Sequence, residues 1–572
     1  MKRILLVLVF LCIFLSAIFA VTAQEVIPLS SSVYADMDTL YLVLGIGTPS
    51  DSRPWTKGEA RAILSIAKQR NLSGVTSKLY EEIEKNLSDS LKWSFPDGFS
   101  VGGNVDLSGE LYTHTNTDVS EGFTSFDDWV YGFVQRKPLV RFRLDMAVSD
   151  FFYTYCDLQY GFGVARFDDV LKTLGGSGHS QVGALTDDTS LVIVDGDSIL
   201  SQYTNAFSTN FILHSRDLDF QTPKRAIISV GGAHWNFSMG RDKLSWGNSH
   251  IGNFIFDDHV DFQEYARLTV FTQYFKYEAV SMFLDTSYSS DSFFRMMMAH
   301  RLEFRPYHRL TLAVSEDIMY EDVVLDLRFL NPAFIYHNLN ERGKFNAIAH
   351  IEASYTILPG LNLYAQFCLD QAIAPNEDDD ESTAWGFLAG IEYAAIVQNG
   401  IYSTVLEGAM TLPCLYRRDG IDYLMARRYA GLDASGPSHW NTQKFDYIGF
   451  PYGGDSLVFT WDNSYRMPTI GSVGFSLTAL WHGELDMYTN VSTGGSSYAN
   501  YGSTLFIGPT IANTITASCK GGYELQRLFG SFKGKVYAQL DLIMRSTYTK
   551  ATSSYGSFVQ DFQCTVGTTM TF

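Results

Sequence analysis

The chain has 572 residues with a net charge of −20; aromatic residues make up 15% of it and charged residues only 18%, below the roughly 25% usual for soluble domains. So many aromatic rings and so few charges exclude a disordered chain, and a surface of this sign repels nucleic acid, so no nucleic-acid partner is expected. The chain opens on Lys2 and Arg3, runs through apolar residues from Ile4 to Leu15 and again from Ala17 to Val21, and offers small residues for cleavage at Val21-Thr22-Ala23. That is the form of a cleaved signal peptide over residues 1–23; the other reading, an uncleaved membrane anchor, meets a run that is short for a span of about 20 residues. No apolar run long enough for a membrane helix follows.

Residues 24–98 read as a small helical region, expected to be periplasmic. Thr56 and Glu59 have capping-box spacing, and Ala60, Ile63, Leu64 and Ala67 follow at helical intervals. Leu79, Tyr80, Ile83 and Leu87 make a second stripe within 77–91, and residues 36–44 suit a third helix. Arg53-Pro54-Trp55 reads as a turn into the first of these.

From about residue 99 the period changes to two. Val101, Val105, Leu107 and Leu111 alternate with Asn104, Asp106, Ser108 and Glu110; Phe142, Leu144 and Met146 alternate with Arg141, Arg143 and Asp145. Leu361–Leu369, Val473–Trp481 and Val536–Leu542 repeat the pattern. In a membrane barrel the apolar face meets lipid and the polar face the lumen. Segments of about 9–12 residues suit a tilted membrane strand, and aromatic clusters at their ends, such as Tyr274, Phe275 and Tyr277, suit the membrane-water interface. The last strand carries Phe562, Val566, Met570 and terminal Phe572 on one face, which looks like the signal read by barrel insertion machinery. The fold class is therefore an all-β membrane protein: a large antiparallel transmembrane β-barrel over residues 99–572, of about 18 strands with 16 as the alternative, after a small α-helical region. The location implied is the outer membrane of a diderm bacterium, with outer-membrane lipids as partners. Long polar loops at 113–128, 172–206, 371–383, 414–445 and 487–502 are expected to face outward.

Few residues suggest chemistry. The five cysteines after residue 23 are scattered and form no CxxC pair. His250, Asp257, Asp258 and His259 match no zinc spacing, and Glu377–Glu381 lacks a calcium-loop pattern. His300, His308, His350 and His482 have no GxSxG partner motif. No cofactor, metal or enzymatic activity is expected. The stretch 414–445 is the most basic of an acidic chain, with Tyr416, Arg417, Arg418, Arg427, Arg428, Tyr429, His439 and Trp440. Aromatic faces stack on sugars and arginines orient them, so these are glycan-binding candidates; the same arginines equally suit pairing with lumen carboxylates in a plug.

Short blocks recur in a telling order: Gly240-Arg241-Asp242-Lys243-Leu244-Ser245-Trp246-Gly247, then Asn253–Asp258, then Asn331-Pro332 with His337, then Gly449-Phe450-Pro451-Tyr452-Gly453-Gly454-Asp455. Upstream stand Asp38–Tyr41 and Ser52–Trp55. At these residues the chain resembles the capsule-assembly Wzi family of outer-membrane proteins. The resemblance implies a large barrel with a periplasmic helical bundle, and a lectin-like role in which capsular polysaccharide is held at the cell surface. Its motif residues here are Arg241, Trp246, Gly247, Asn331, Pro332, Pro451, Gly453 and Asp455. Read from the residues alone, Arg241 and Trp246 suit sugar binding, while Arg241 equally suits pairing with Asp257 or Asp258; Pro332 and Pro451 read as strand ends and Gly453-Gly454 as a turn. The other reading of the whole is a porin-like channel for sugars or other small solutes.

Overall fold

The computed structural model describes residues 22–88, 93–95, 98–117, 129–132, 134–160, 206–211, 218–219, 223–284, 294–322, 331, 335–336, 345–371, 383–417, 421–432, 439–487, 504–526 and 533–572. Residues 1–21, where most of the signal peptide falls, and the loop stretches 118–128, 172–205 and 372–382 lie outside them.

The chain forms a closed antiparallel barrel of 18 strands. In order these are β1 Phe99–His114, β2 Val140–Val148, β3 Phe152–Tyr160, β4 Ala226–Gly231, β5 Trp235–Asp242, β6 Gln263–Phe271, β7 Phe275–Phe283, β8 Phe294–Tyr307, β9 Leu310–Asp322, β10 Phe345–Leu358, β11 Leu361–Gln371, β12 Ala384–Val397, β13 Gly400–Thr411, β14 Ser456–Met467, β15 Gly471–His482, β16 Thr510–Gln526, β17 Lys533–Thr549 and β18 Val559–Thr571. Each pairs with the next, and β18 closes on β1 from Gln563↔His114 to Thr571↔Asp106. Strand lengths run from 6 residues in β4 to 17 in β16 and β17, wider than the 9–12 expected. The ladder of β16 and β17 continues for as long as each backbone group finds a partner, which carries it beyond the length needed to cross the apolar band.

Period two sets the faces. Leu144, Val314, Ile351, Leu406 and Val473 point outward and are exposed, while Glu110, Asp317, Gln366 and Asp541 point inward and are buried. Alternate strand ends are joined by tight turns such as 308–309 and 359–360; the other end carries the long loops. In outer-membrane barrels the short-turn end faces the periplasm and the long loops face outward.

Three helices, α1 Ser32–Leu44, α2 Lys57–Lys68 and α3 Val75–Ser88, cover the short-turn end. The Thr56 hydroxyl caps α2 by accepting from the Glu59 N–H at 3.2 Å, and Gly45 ends α1 with φ 66°. Met37, Leu40, Ile63, Leu64, Leu79 and Ile83 form their common core. The bundle is tied to the barrel. The Gly360 N–H donates to the Leu42 carbonyl at 2.8 Å. Arg466, at the end of β14, reaches Asp36 at 2.8 Å and Glu82 at 3.1 Å.

Residues 51–56 do more than turn into α2. Ser52–Arg53 is a short strand that pairs with Ser245–Trp246 from the loop between β5 and β6, and the Arg53–Pro54 peptide is cis. A segment entering from the helical end thus meets a loop entering from the other end.

Candidate functional site

The inserted N-terminal segment meets a lattice of buried charges on the barrel wall. The Arg301 guanidinium lies 2.7 Å from Glu303, 2.9 Å from Glu352 and 2.5 Å from Asp51. Beside it, the Glu278 carboxylate accepts from Arg267, from the Ser52 hydroxyl and, at 2.7 Å, from the Trp246 indole N–H. Lys276 joins Glu59 of α2 at 2.7 Å and donates to the Ser52 carbonyl at 2.7 Å. Charges taken out of water are tolerable only when paired and hydrogen-bonded in this way. Burial pushes the Asp51 carboxyl up to about 7 against the pull of Arg301, and it pushes Glu59 up against the pull of Lys276.

From the long-loop end, two loops fold into the lumen. Trp246, Phe254, Ile255 and Phe256 of the β5–β6 loop join Leu415, Tyr416, Tyr423, Ile448 and Phe450 of the β13–β14 loop in one buried cluster, together with inward residues of strands from β2 to β14. Glu407 of β13 anchors the first loop, accepting from the Ser249 hydroxyl at 2.6 Å and from the N–H groups of His250 and Ile251 at 3.0 and 2.9 Å. The Tyr416 hydroxyl joins the two loops, donating to the Phe254 carbonyl at 2.6 Å and accepting from the Phe450 N–H at 3.0 Å. At the wall formed by β1 and β17, residues 129–132 and 134–137 pack inward. Glu110 accepts from the hydroxyls of Tyr112, Tyr131 and Tyr537 and from the Lys137 N–H at 2.8 Å. Arg136 lies over the rings of Tyr112 and Trp129.

These facts relocate several of the residues singled out in the sequence. Tyr416 and Arg417 stand in the plug and not on an outward loop: Tyr416 is fully buried, and Arg417 pairs with Asp422 at 3.0 Å and donates to the Asp486 carbonyl. The physical reason is that an apolar run, Leu412–Tyr416, flanks the basic stretch and draws it inward. Arg418 lies outside the described residues. Arg427, Arg428 and Tyr429 lie on a strand, Leu424–Leu432, paired with His439–Tyr447, which carries His439 and Trp440; the register sets Arg427 opposite Lys444 and Gly431 opposite Trp440. This hairpin is a sheet of its own, and its base, from Tyr423 to Met425 and at Tyr447 and Ile448, is held in the plug.

Arg241 pairs with neither Asp257 nor Asp258 but with its cross-strand neighbour Glu264, at 2.9 Å from Nε, and stacks 4.0 Å from the Phe262 ring. Trp246 is buried, edge-on to Phe256 at 4.7 Å, so its face is closed to sugar. Gly247 has φ 114°, and a Cβ there would stand 2.2 Å from the Asn253 side chain. Asn331 is exposed, and Pro332 and His337 lie outside the described residues. Pro451 sits within a loop, where its ring packs on Gly252, and not at a strand end. Gly453, at φ 64°, closes a turn by donating its N–H to the Phe450 carbonyl at 3.0 Å, in keeping with the Gly453-Gly454 turn signal. Asp455 is buried and accepts from the Ile507 N–H at 2.8 Å and from Phe506, joining the β13–β14 loop to the β15–β16 loop. Sequence reading missed Glu278, Arg301 and Glu407. Their signal was their place on the polar, inward parity of long strands, but parity does not tell which loop each one meets.

No protein-family model and no curated protein matches the sequence. Among solved structures, the fold is that of Wzi, described as an outer-membrane protein involved in group 1 capsule assembly in Escherichia coli and a carbohydrate-binding β-barrel. The two share 12% identity at a TM-score of 0.53, over 95% of this chain and 99% of that one. Two other structures superpose less well: the outer membrane channel DcaP of Acinetobacter baumannii, at a TM-score of 0.34 and 8% identity over 84% of this chain and 100% of that one, and OccD3 of Pseudomonas aeruginosa, at 0.39 and 8% over 82% and 91%.

Proposed function

We propose that this chain is an exported outer-membrane barrel that binds surface polysaccharide and anchors it, in the manner of a capsule-assembly lectin and without catalysis. The observation that carries this reading is the plug: loops from one end and the N-terminal segment from the other pack against each other inside the barrel. A barrel filled in this way offers its outer loops, and not a pore, as the working surface. The fold shared with a carbohydrate-binding barrel supports the same reading.

The binding element in this proposal is the hairpin Leu424–Tyr447. It combines basic and aromatic residues, and in an otherwise acidic chain that charge suits an acidic polysaccharide. Arg428→Ala combined with Trp440→Ala, expressed in cells lacking the native gene, should release polysaccharide into the medium while the barrel keeps its heat-dependent gel mobility. Full retention of surface glycan by that variant would refute the hairpin as the site. Unchanged surface glycan on deletion of the whole gene would refute the function. The competing reading, a sugar channel, requires large steady conductance steps from the unmodified protein in a planar bilayer.

A further inference from the structure

A cavity of about 380 Å³ lies where the helices meet the short-turn end of the barrel, between α2 and the turns that join β6 to β7 and β8 to β9. That is within the size range of small-molecule sites, about 300–1,000 Å³. Its walls are largely apolar, with Tyr41, Ile46, Ile63, Ile66, Phe271 and Tyr274 among them. The one carboxylate among its lining residues, Glu59, is neutralised by Lys276 at 2.7 Å.

Its rim is basic. Arg70, just past the end of α2, is exposed and makes no ion pair among the described residues. His308 lies beside it in the β8–β9 turn. Arg309 follows in the same turn, just beyond the cavity lining, and donates to the Ile357 carbonyl at 3.1 Å from one guanidinium nitrogen. The imidazole of His308 is held below its ordinary pKa by desolvation and then by Arg70 and Arg309, with no carboxylate acting against them. Two arginines that make no ion pair among the described residues, with the neutral imidazole of His308 beside them as a further hydrogen-bond donor, are out of place on a chain of net charge −20 unless they have an anion to meet.

The level of this rim in the membrane identifies the anion. Tyr274, Phe275, Phe304 and Tyr307, on the same two turns and the strand ends beside them, are exposed large aromatics, and such rings mark the membrane-water interface. The short-turn end is the periplasmic one, so the rim stands level with the phosphates of the inner leaflet. Basic pockets at that level suit anionic lipid head groups.

We propose that this cavity is a phospholipid site, in which an acyl chain occupies the apolar pocket and the phosphate of an anionic head group meets Arg70, His308 and Arg309. The lipid would fasten the helical bundle to the inner leaflet, independently of any glycan bound outside. Native mass spectrometry of the full chain, released from detergent in the presence of equal phosphatidylglycerol and phosphatidylcholine of matched chains, tests it. Phosphatidylglycerol should be retained preferentially. Arg70→Ala and Arg309→Ala should each lower that retention by about fivefold, as expected for about 1 kcal/mol per basic residue at a lipid surface. Ala62→Phe, at an exposed position on the cavity wall, should displace both lipids while the helices keep their protection from hydrogen exchange. Equal retention of the two lipids, or unchanged retention in the arginine variants, would overturn the proposal. So would complete displacement of phosphatidylglycerol by millimolar inorganic phosphate, which would mean that the chain contributes nothing.

Discussion

Neighbouring side chains on β2 live in different solvents. Leu144 is 52% exposed on the outer wall, midway along its strand, while Arg143 points inward and pairs with Asp106 at 2.8 Å. Leu144→Arg should therefore destabilise the barrel by about 2–4 kcal/mol, the cost of a cation near the bilayer midplane. Arg143→Leu removes a partly solvated pair worth about 0.2–1 kcal/mol. Urea unfolding in lipid vesicles separates the two; equal losses would mean that the register is wrong. Glu278 is the opposite case, a buried carboxylate shared by Arg267, Lys276, Ser52 and Trp246. Glu278→Gln leaves two buried cations under-neutralised and should cost about 3–5 kcal/mol, read by the same unfolding assay. The alternation that places Leu144, Arg143 and Glu278 on their faces is visible in the chain. The convergence of Arg267, Ser52 and Trp246 on Glu278 is not, because those residues come from three separate segments.

Among the elements, the helical bundle has a pH dependence of its own. Asp36 in α1 is buried against Arg466 and Glu82. Burial raises its carboxyl to about 7, with Arg466 opposing and Glu82 adding. The undocked chain titrates near the ordinary 3.8, so between about pH 4 and 7 the docked state holds the proton more tightly. Docking is then strongest below about pH 4 and weakens as pH rises through about 7. Hydrogen exchange, corrected for its intrinsic rate, should show α1 better protected at pH 5 than at pH 8, and Asp36→Asn should flatten the difference. The helices themselves were legible: the Thr56 cap and the Leu79–Ile83–Leu87 stripe are local signals. The hairpin Leu424–Tyr447 was hidden inside a stretch that reads as a loop, because its strands pair only with each other.

For the whole molecule the decisive feature is what fills the lumen. If the aromatic joint between the two plug loops holds it shut, replacing Phe254, Tyr416 and Phe450 together by Ala should raise conductance in planar bilayers above that of the unmodified protein while the barrel stays heat-modifiable. The rings of Phe254 and Phe450 pack 5.5 Å apart, and Tyr416 bonds to the backbone of both, so the triple change removes the ring packing between the loops and leaves every charged residue of the wall unchanged. Unchanged conductance would mean that the lattice around Arg301 and Glu278 closes the lumen by itself.

The amino-acid sequence alone determined the class of this protein: a helical start, a switch to period two near residue 99, and a barrel of about 18 strands. Each of these follows from the pattern of neighbours within one segment, and such patterns survive in a single chain. The tertiary structure decided where the loops go. The basic stretch around Arg417 left two placements open, an outward glycan-binding loop and an inward plug, and the fold puts Arg417 in the plug; Trp246 was legible as aromatic but not as a donor to Glu278. Each placement depends on a partner in another segment, Asp486 beyond β15 for Arg417 and Glu278 on β7 for Trp246, brought together because buried apolar rings and buried charges must each find partners away from water.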